Sequence, residues 1–418
     1  MSKVKLIKAA PSISFLFFLC LVASQPLYAD RVDNLYSLQT LVPDTSDRTR
    51  AKTANQLLQR LLVRVSGTEA VLEKMPPDDF QKAREEGQDA EPYASYREHE
   101  HYELWRELSN AQRWVSQYSY QSTQELIENE AGEQVRAHQL ELDFDPSAIN
   151  NLLQRMQAPV WDASRPKTLF FIALQGRQGR YLVTPESNES LSELLVDLAE
   201  ERGIPMLLPA SEEQLPSSLL SDIWGGFSRE ILAASQTYQP DAVAIGRIYP
   251  SSGTWAVNWQ LFTGLDRVAS RTNAGTLGEA LTTGVNFVAE SLSERYASSP
   301  DQGAGVYHLA ITNIRQIRHF AQLMDYLGGL SLTNSVELVR VQDDQLLLKV
   351  DLRGGMNQLR ANLSLDGRLT EASFYSLQQS GDQNFGLQPQ QLDQDLGTSS
   401  EEPSLFRQVD AWFEWQAN

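Results

Sequence analysis

Thiols are nearly absent from this 418-residue chain: its one cysteine, Cys20, sits inside the leading apolar run. A body without thiols gains no disulfide staples and cannot mispair in an oxidising compartment, so its stability has to come from hydrophobic cores. Positive charge is scarce as well, with 35 Lys and Arg against 54 Asp and Glu and a formal net charge of −19. Such a surface repels phosphate backbones and anionic lipid headgroups; no basic cluster interrupts it, which argues against nucleic-acid binding and favours basic protein patches or cations as partners. Catalytic signatures are missing too. No Gly-x-Ser-x-Gly elbow occurs, and no two histidines stand four apart with a glutamate beside the first, as a zinc protease requires. Gly176-Arg177-Gln178-Gly179-Arg180 lacks the Lys-Ser/Thr ending of a phosphate loop and reads as a hairpin turn between Leu174 and Tyr181. No cofactor is implied.

Long apolar runs are confined to the first thirty residues. Lys3, Lys5 and Lys8 precede an apolar stretch from Ile13 to Val22, and Leu27-Tyr28-Ala29 follows it. These are the three parts of a cleavable export signal over residues 1–29, and the stretch falls short of the roughly 20 residues a spanning helix needs. Cys20 follows Phe17-Phe18-Leu19, whereas a lipidated cysteine wants small residues before it. Removal of the signal takes away three lysines and no acid, moving the formal charge from −19 to −22. The expectation is a soluble periplasmic protein of a Gram-negative bacterium.

What remains is rich in cores. Eight Trp, fourteen Tyr and fifteen Phe supply apolar surface for more than one domain, and the pattern predicts an α+β chain of three modules followed by a disordered tail. Residues 30–158 read as strand, helix, strand, strand, helix, with Ser46 opening the first helix, Gly67 stopping it and Asp145-Pro146 opening the second. Within that module, 76–103 is polar and acidic and is expected to be an exposed insertion. Residues 159–298 begin with Leu169 to Leu174, a continuous apolar run suited to a strand buried on both faces. A helix ending at Gly203, another from Phe227, and strands at Ala242–Ile248, Trp255–Phe262 and Val268–Ala274 follow. A helix from Leu277 to Tyr296 closes this unit, whose sheet is expected to be mixed and largely parallel at its centre. A linker at Ser298-Ser299-Pro300-Asp301 leads to 303–377, again strand, helix, strand, strand, helix. Gln, Asp, Gly and Ser dominate from Gln378 to Pro403, within the predicted tail over 378–418.

Three segments carry a family resemblance. Gln59-Arg60-Leu61-Leu62-Val63-Arg64-Val65-Ser66-Gly67, then Arg202-Gly203-Ile204-Pro205 leading to Leu208-Pro209, and Asp241-Ala242-Val243-Ala244-Ile245-Gly246-Arg247 ahead of Trp255 and Trp259 resemble the domain of unknown function 2066 family of proteobacteria. The resemblance spans roughly residues 30 to 375; that family has no established activity, so it implies no active site. The order of elements in the second module is also similar to the amino-terminal domain of the Tol-Pal protein TolB, and related domains serve in envelope assembly. That likeness implies a protein that binds partners and catalyses nothing.

The candidate sites are few. His99-Glu100-His101 is the most ligand-like cluster, because alternating imidazoles with carboxylates nearby can hold a divalent transition metal. The other histidines, His138, His308 and His319, suit packing or surface roles. Trp255 and Trp259 share parity on one strand and so share a face of its sheet; they form either a core layer or, if that face is open, a sugar or peptide platform. At the end of the chain, Leu405, Val409, Trp412 and Phe413 would lie on one face of a helix starting near Ser404, with Trp415 extending it. Such anchors suit docking into a partner's groove or folding back in cis. The function expected is a non-enzymatic interaction or assembly role with another cell-envelope protein. The alternative is a small-ligand or glycan-binding protein or hydrolase using a cleft between the second and third modules.

Overall fold

The computed structural model describes residues 32–87, 93–211, 213, 215–299, 303–372 and 409–416. Its class is α+β, with three sheets, each carrying helices. The predicted signal at 1–29 and the predicted polar tract at 378–403 lie outside the described residues. Among the described residues no helix is long and apolar enough to cross a membrane.

The first module pairs β1 (Ser37–Val42), β2 (Val115–Glu128) and β3 (Gln134–Phe144) in the order β1-β3-β2, all antiparallel. Helix α1 (Asp47–Ser66) begins where the Ser46 side chain accepts the Thr49 N–H and stops at Gly67, whose φ of +75° is the left-handed cap that glycine adopts without strain. It buries Ala54, Leu58, Leu61 and Val65 against the sheet and α5 (Pro146–Arg155), which Asp145 caps. The insertion at 76–103 is largely exposed among its described residues, as expected, yet it holds a small core of its own. It folds into α2 (Phe80–Glu86), α3 (Tyr93–Tyr96) and the start of α4 (Tyr102–Leu108), around a small core of Phe80, Ala83, Tyr93 and Trp105. Acidic residues dominate its composition, but the aromatics are spaced so that helices of one or two turns bring them together, and Phe80 ends fully buried.

The second module holds β4 (Thr168–Gly176), β5 (Gly179–Leu182), α6 (Glu189–Arg202), the two-residue β6 (Met206–Leu207), α7 (Leu219–Gly225), α8 (Ser228–Ser235), β7 (Ala242–Ser251), β8 (Thr254–Thr263), β9 (Asp266–Ala274) and α9 (Leu277–Tyr296). Its sheet runs β5-β4-β7-β8-β9, with β6 also beside β4. Parallel ladders join β4 to β6 and β7, and the other three are antiparallel. Alternation along β4 explains its unbroken apolar run: Phe170, Ile172 and Leu174 enter the core under α9, while Leu169, Phe171 and Ala173 enter the core under α7 and α8.

The third module contains β10 (Gly305–Thr312), α10 (Ile317–Gly328), β11 (Thr333–Gln342), β12 (Gln345–Leu352), α11 (Met356–Asp366), β13 (Leu369–Glu371) and β14 (Ala411–Trp415), in sheet order β11-β12-β10-β14-β13. Two strands exceed the five elements expected. The end of the chain, expected to be a helix from Ser404, is strand β14 over its described part. Of the expected linker Ser298-Ser299-Pro300-Asp301, Pro300 and Asp301 lie outside the described residues, while its first residue is anchored. Ser298 is buried and exchanges backbone hydrogen bonds with Val160 at 2.9 and 3.0 Å. Beside it the Asn362 amide of α11 donates to Tyr296 O, and Ala361 and Leu365 join the core beneath α9.

Candidate functional site

Where the first and second modules meet, the last turns of α1 and α6 leave carbonyls that no intrahelical N–H can satisfy, and their dipoles favour cations. Three arginines meet that need. Arg165 is fully buried and donates from Nε to Asp162 O, from Nη1 to Arg202 O and Gly203 O, and from Nη2 to Arg64 O and Trp161 O, all at 2.9–3.0 Å. Its guanidinium also lies 4.1 Å over the Trp161 ring. Burial pushes its pKa down to about 9, so it stays charged at neutral pH. Arg64 donates to Glu200 O, Glu201 O and Ser37 O, and Arg202 to Gly67 O and the Glu69 carboxylate. Each of the five N–H donors on Arg165 has its carbonyl, which makes this a clamp between modules and leaves no donor for an anion. No pattern in the sequence marked Arg165, because its partners are backbone atoms, three of the five contributed by distant segments.

A cavity of about 750 Å³ runs beside the clamp, lined by Asn34, Gln39, Arg60, Arg64, Glu141 and Glu201 among others. It lies between the first and second modules, not at the expected junction of the second and third. Its cations are engaged: Arg60 pairs with Glu201 at 2.8 Å, and Arg64 is held by carbonyls.

The predicted site residues are placed as follows. His99 and His101 do come together, with ring centroids 5.3 Å apart. His99, however, stacks on Trp105 at 4.2 Å, and its Nδ1 accepts the His101 backbone N–H. Among the described residues no three His, Cys, Asp or Glu side chains gather as a metal site. His319 is buried on α10, while the His308 backbone N–H on β10 donates to the Asp410 carboxylate at 2.7 Å and its carbonyl accepts the Asp410 backbone N–H. Trp255 and Trp259 share one face, but that face is the core under α9. Trp259 is 1% exposed, packs edge-on against Phe170 at 6.2 Å, and lies over Gly246 and against Gly284; Trp255 is half-buried at the rim of the same cluster. An aromatic platform at Trp259 is therefore ruled out by the helix that covers it.

Two of the C-terminal anchors, Phe413 and Trp415, pack in cis. Leu405 lies outside the described residues, and Val409 precedes β14. In the strand, Ala411, Phe413 and Trp415 are buried in the third core, whereas Trp412 and Glu414 take the opposite face. Across the same sheet, β11 pairs only with β12 among the described residues and forms its outer strand. Val336, Leu338 and Val341 sit opposite Val350, Leu348 and Leu346, so they belong to the apolar face. Yet Leu338 is 42% and Val341 57% exposed, and Val339 at the register shift is exposed too. Isolated apolar side chains on a surface mean little, but a row of them along an unpaired edge marks a place where another strand can add. Sequence reading missed this edge, since nothing in the alternation of Thr333 to Gln342 tells an outer strand from an inner one.

A family model described as a domain of unknown function (DUF8605) matches residues 95–162, from α3 through the β2–β3 hairpin and α5 to Asp162. Comparison with curated proteins and with solved structures finds no match.

Proposed function

We propose that this chain is an exported, non-enzymatic interaction protein of the Gram-negative cell envelope, which binds an extended stretch of another polypeptide along β11. The observation that carries the reading is the ten-residue outer strand whose apolar row runs uncovered through Leu338, Val339 and Val341. Backbone groups on such an edge supply affinity by continuing the ladder, and alternate side chains supply selectivity. The chain's own charge of −19 favours a basic or neutral partner over a second copy, which would bring the same charge to the contact. Kinship with the domain of unknown function 2066 family, and a second module built like the TolB amino-terminal domain, belong to the same proposal; the order β4, α6, β6, then β7 to α9, supports the latter.

A photo-crosslinking residue at Val341 tests it, with one at exposed Val268 on β9 as control. The expected result is a defined adduct from position 341 that disappears when Leu338→Lys is added, with no change in melting temperature because Leu338 is substantially exposed. Equal adducts at 341 and 268, an adduct consisting of two copies of this chain, or an adduct that survives Leu338→Lys would each defeat the reading.

A further inference from the structure

The third sheet is not continuous without β14. Strands β10 and β13 do not bond to each other; β14 lies between them, parallel to β10 through Leu309↔Ala411 to Thr312↔Glu414 and antiparallel to β13 through Leu369↔Trp415 to Glu371↔Phe413. Main-chain atoms do most of the holding. Asp410 N donates to His308 O, Gln416 N to Arg368 O, Ala372 N to Trp412 O, and the Asn313 amide to Trp415 O. These bonds ask little of the incoming side chains except that three of them fit inward: small Ala411, then Phe413 and Trp415, all buried.

The route by which β14 arrives is unusual for neighbouring strands. Antiparallel neighbours need a loop of about two to five residues. Here Ala372, at the end of β13, already touches β14, yet 36 residues, 373–408, intervene before Val409. That length of chain can extend to roughly 120 Å at most, so the connection does not force the strand into its slot. Docking of β14 is then an intramolecular step that a competing strand opposes from solution.

We infer that β14 is a tethered occupant of a slot between β10 and β13, and that this slot admits in its place a partner's extended strand bearing small, aromatic and aromatic side chains at alternate positions and running parallel to β10. The inference concerns the opposite side of the sheet from β11 and does not depend on the function proposed above. The chain's own segment is the template for the ligand: backbone pairing on both sides gives the slot its affinity, and the pockets holding Phe413 and Trp415 give it selectivity.

The test uses a fluorescent peptide with the sequence of residues 409–416 and a control peptide with serine at the positions matching Phe413 and Trp415. Three full-length chains are compared: the wild type, the variant Phe413→Ser/Trp415→Ser, whose own strand cannot dock, and Ala310→Cys/Trp412→Cys, whose cysteines face each other across the ladder and lock the strand when oxidised. The expected result is binding to the serine variant about a hundredfold or more tighter than to the wild type, as release from a tethered competitor predicts. Oxidation of the cysteine pair should abolish binding and reduction restore it. Equal affinity for wild type and serine variant, binding to the oxidised chain, or equal binding of the control peptide would overturn the inference. Should the serine variant fail to fold, hydrogen exchange on the wild type decides. Amides of Ala411–Trp415 should exchange through a local opening, faster than those of Leu348 and Val350 in β12; exchange at the same rate and with the same denaturant dependence as β12 overturns the inference.

Discussion

Trp259 and Gly284 allow a prediction in which a substitution changes sign with its background. The indole lies so close to α9 that a β-carbon at position 284 would fall 1.9 Å from Cε2 and 2.1 Å from Cζ2. On its other side the ring covers Gly246, its cross-strand partner, where a β-carbon would meet Cζ3 at 2.8 Å. Glycine in the middle of a helix forfeits about 1 kcal/mol relative to alanine, so close approach is the reason to keep it. In the wild type, Gly284→Ala should destabilise by about 1–3 kcal/mol, as overpacking of a filled core does. Trp259→Leu alone leaves a cavity and should lose up to about 3–5 kcal/mol, the range for deleting a large buried ring. With the ring gone the clash is gone, and Gly284→Ala in the Trp259→Leu background should be neutral or stabilising by up to about 1 kcal/mol. The coupling between the two sites is then about 1–4 kcal/mol, above the few tenths expected of independent positions. Urea denaturation followed by near-ultraviolet circular dichroism measures all four members of the cycle. Additivity within about 0.5 kcal/mol, or an equal loss from Gly284→Ala in both backgrounds, would refute the packing argument.

Three other outcomes are expected. Arg165→Met removes five donors from buried carbonyls and should cost about 3–5 kcal/mol, in the range for breaking a buried charged network, while Arg165→Lys should recover little because an ammonium cannot reproduce the planar fork; denaturation midpoints check both. Phe80→Ala should open the insertion alone, so that limited proteolysis cuts within 76–103 while the cores under α1 and α9 stay protected. Arg155, 2.8 Å from Glu107, holds that carboxyl below its ordinary value of 4.5. A lowered folded value means the ion pair stabilises the fold above about pH 4.5 and ceases to as the pH falls through that lowered value. Glu107→Gln should accordingly lower the neutral plateau of a stability-against-pH curve by the pair's contribution, leave stability below that lowered value almost unchanged, and so flatten the acid limb.

Elements with their own local chemistry are legible in the sequence. Helix α9 spans Leu277 to Tyr296 as its apolar spacing predicts, with the Thr276–Glu279 capping box at its start. Gly203 ends α6 in the left-handed conformation, and the turn at Gly176 to Gly179 joins β4 to β5. The small core within the otherwise exposed insertion at 76–103 was not legible because an acidic composition says nothing of where a few aromatics meet, and Phe80 and Tyr93 pack there with Trp105 of α4. The candidate sites were less legible for a related cause. His99 stacks on Trp105 and Trp259 lies under α9, and in each case the covering element is remote from the residue in sequence or shares no period with it.

Capping side chains, glycines at helix ends and side-chain periods are settled by neighbours within about four positions along the chain, which is why the three modules and their α+β class follow from residues alone. The state of Ala411–Trp415 does not. Five residues with apolar side chains at 411, 412, 413 and 415 satisfy a helical stripe and an alternating strand alike, and a strand has no hydrogen bonds of its own until β10 and β13 stand on either side of it. Arg165 is the same case in another form: its role depends on where the ends of two helices, α1 and α6, meet, and only the folded chain brings those carbonyls to one side chain.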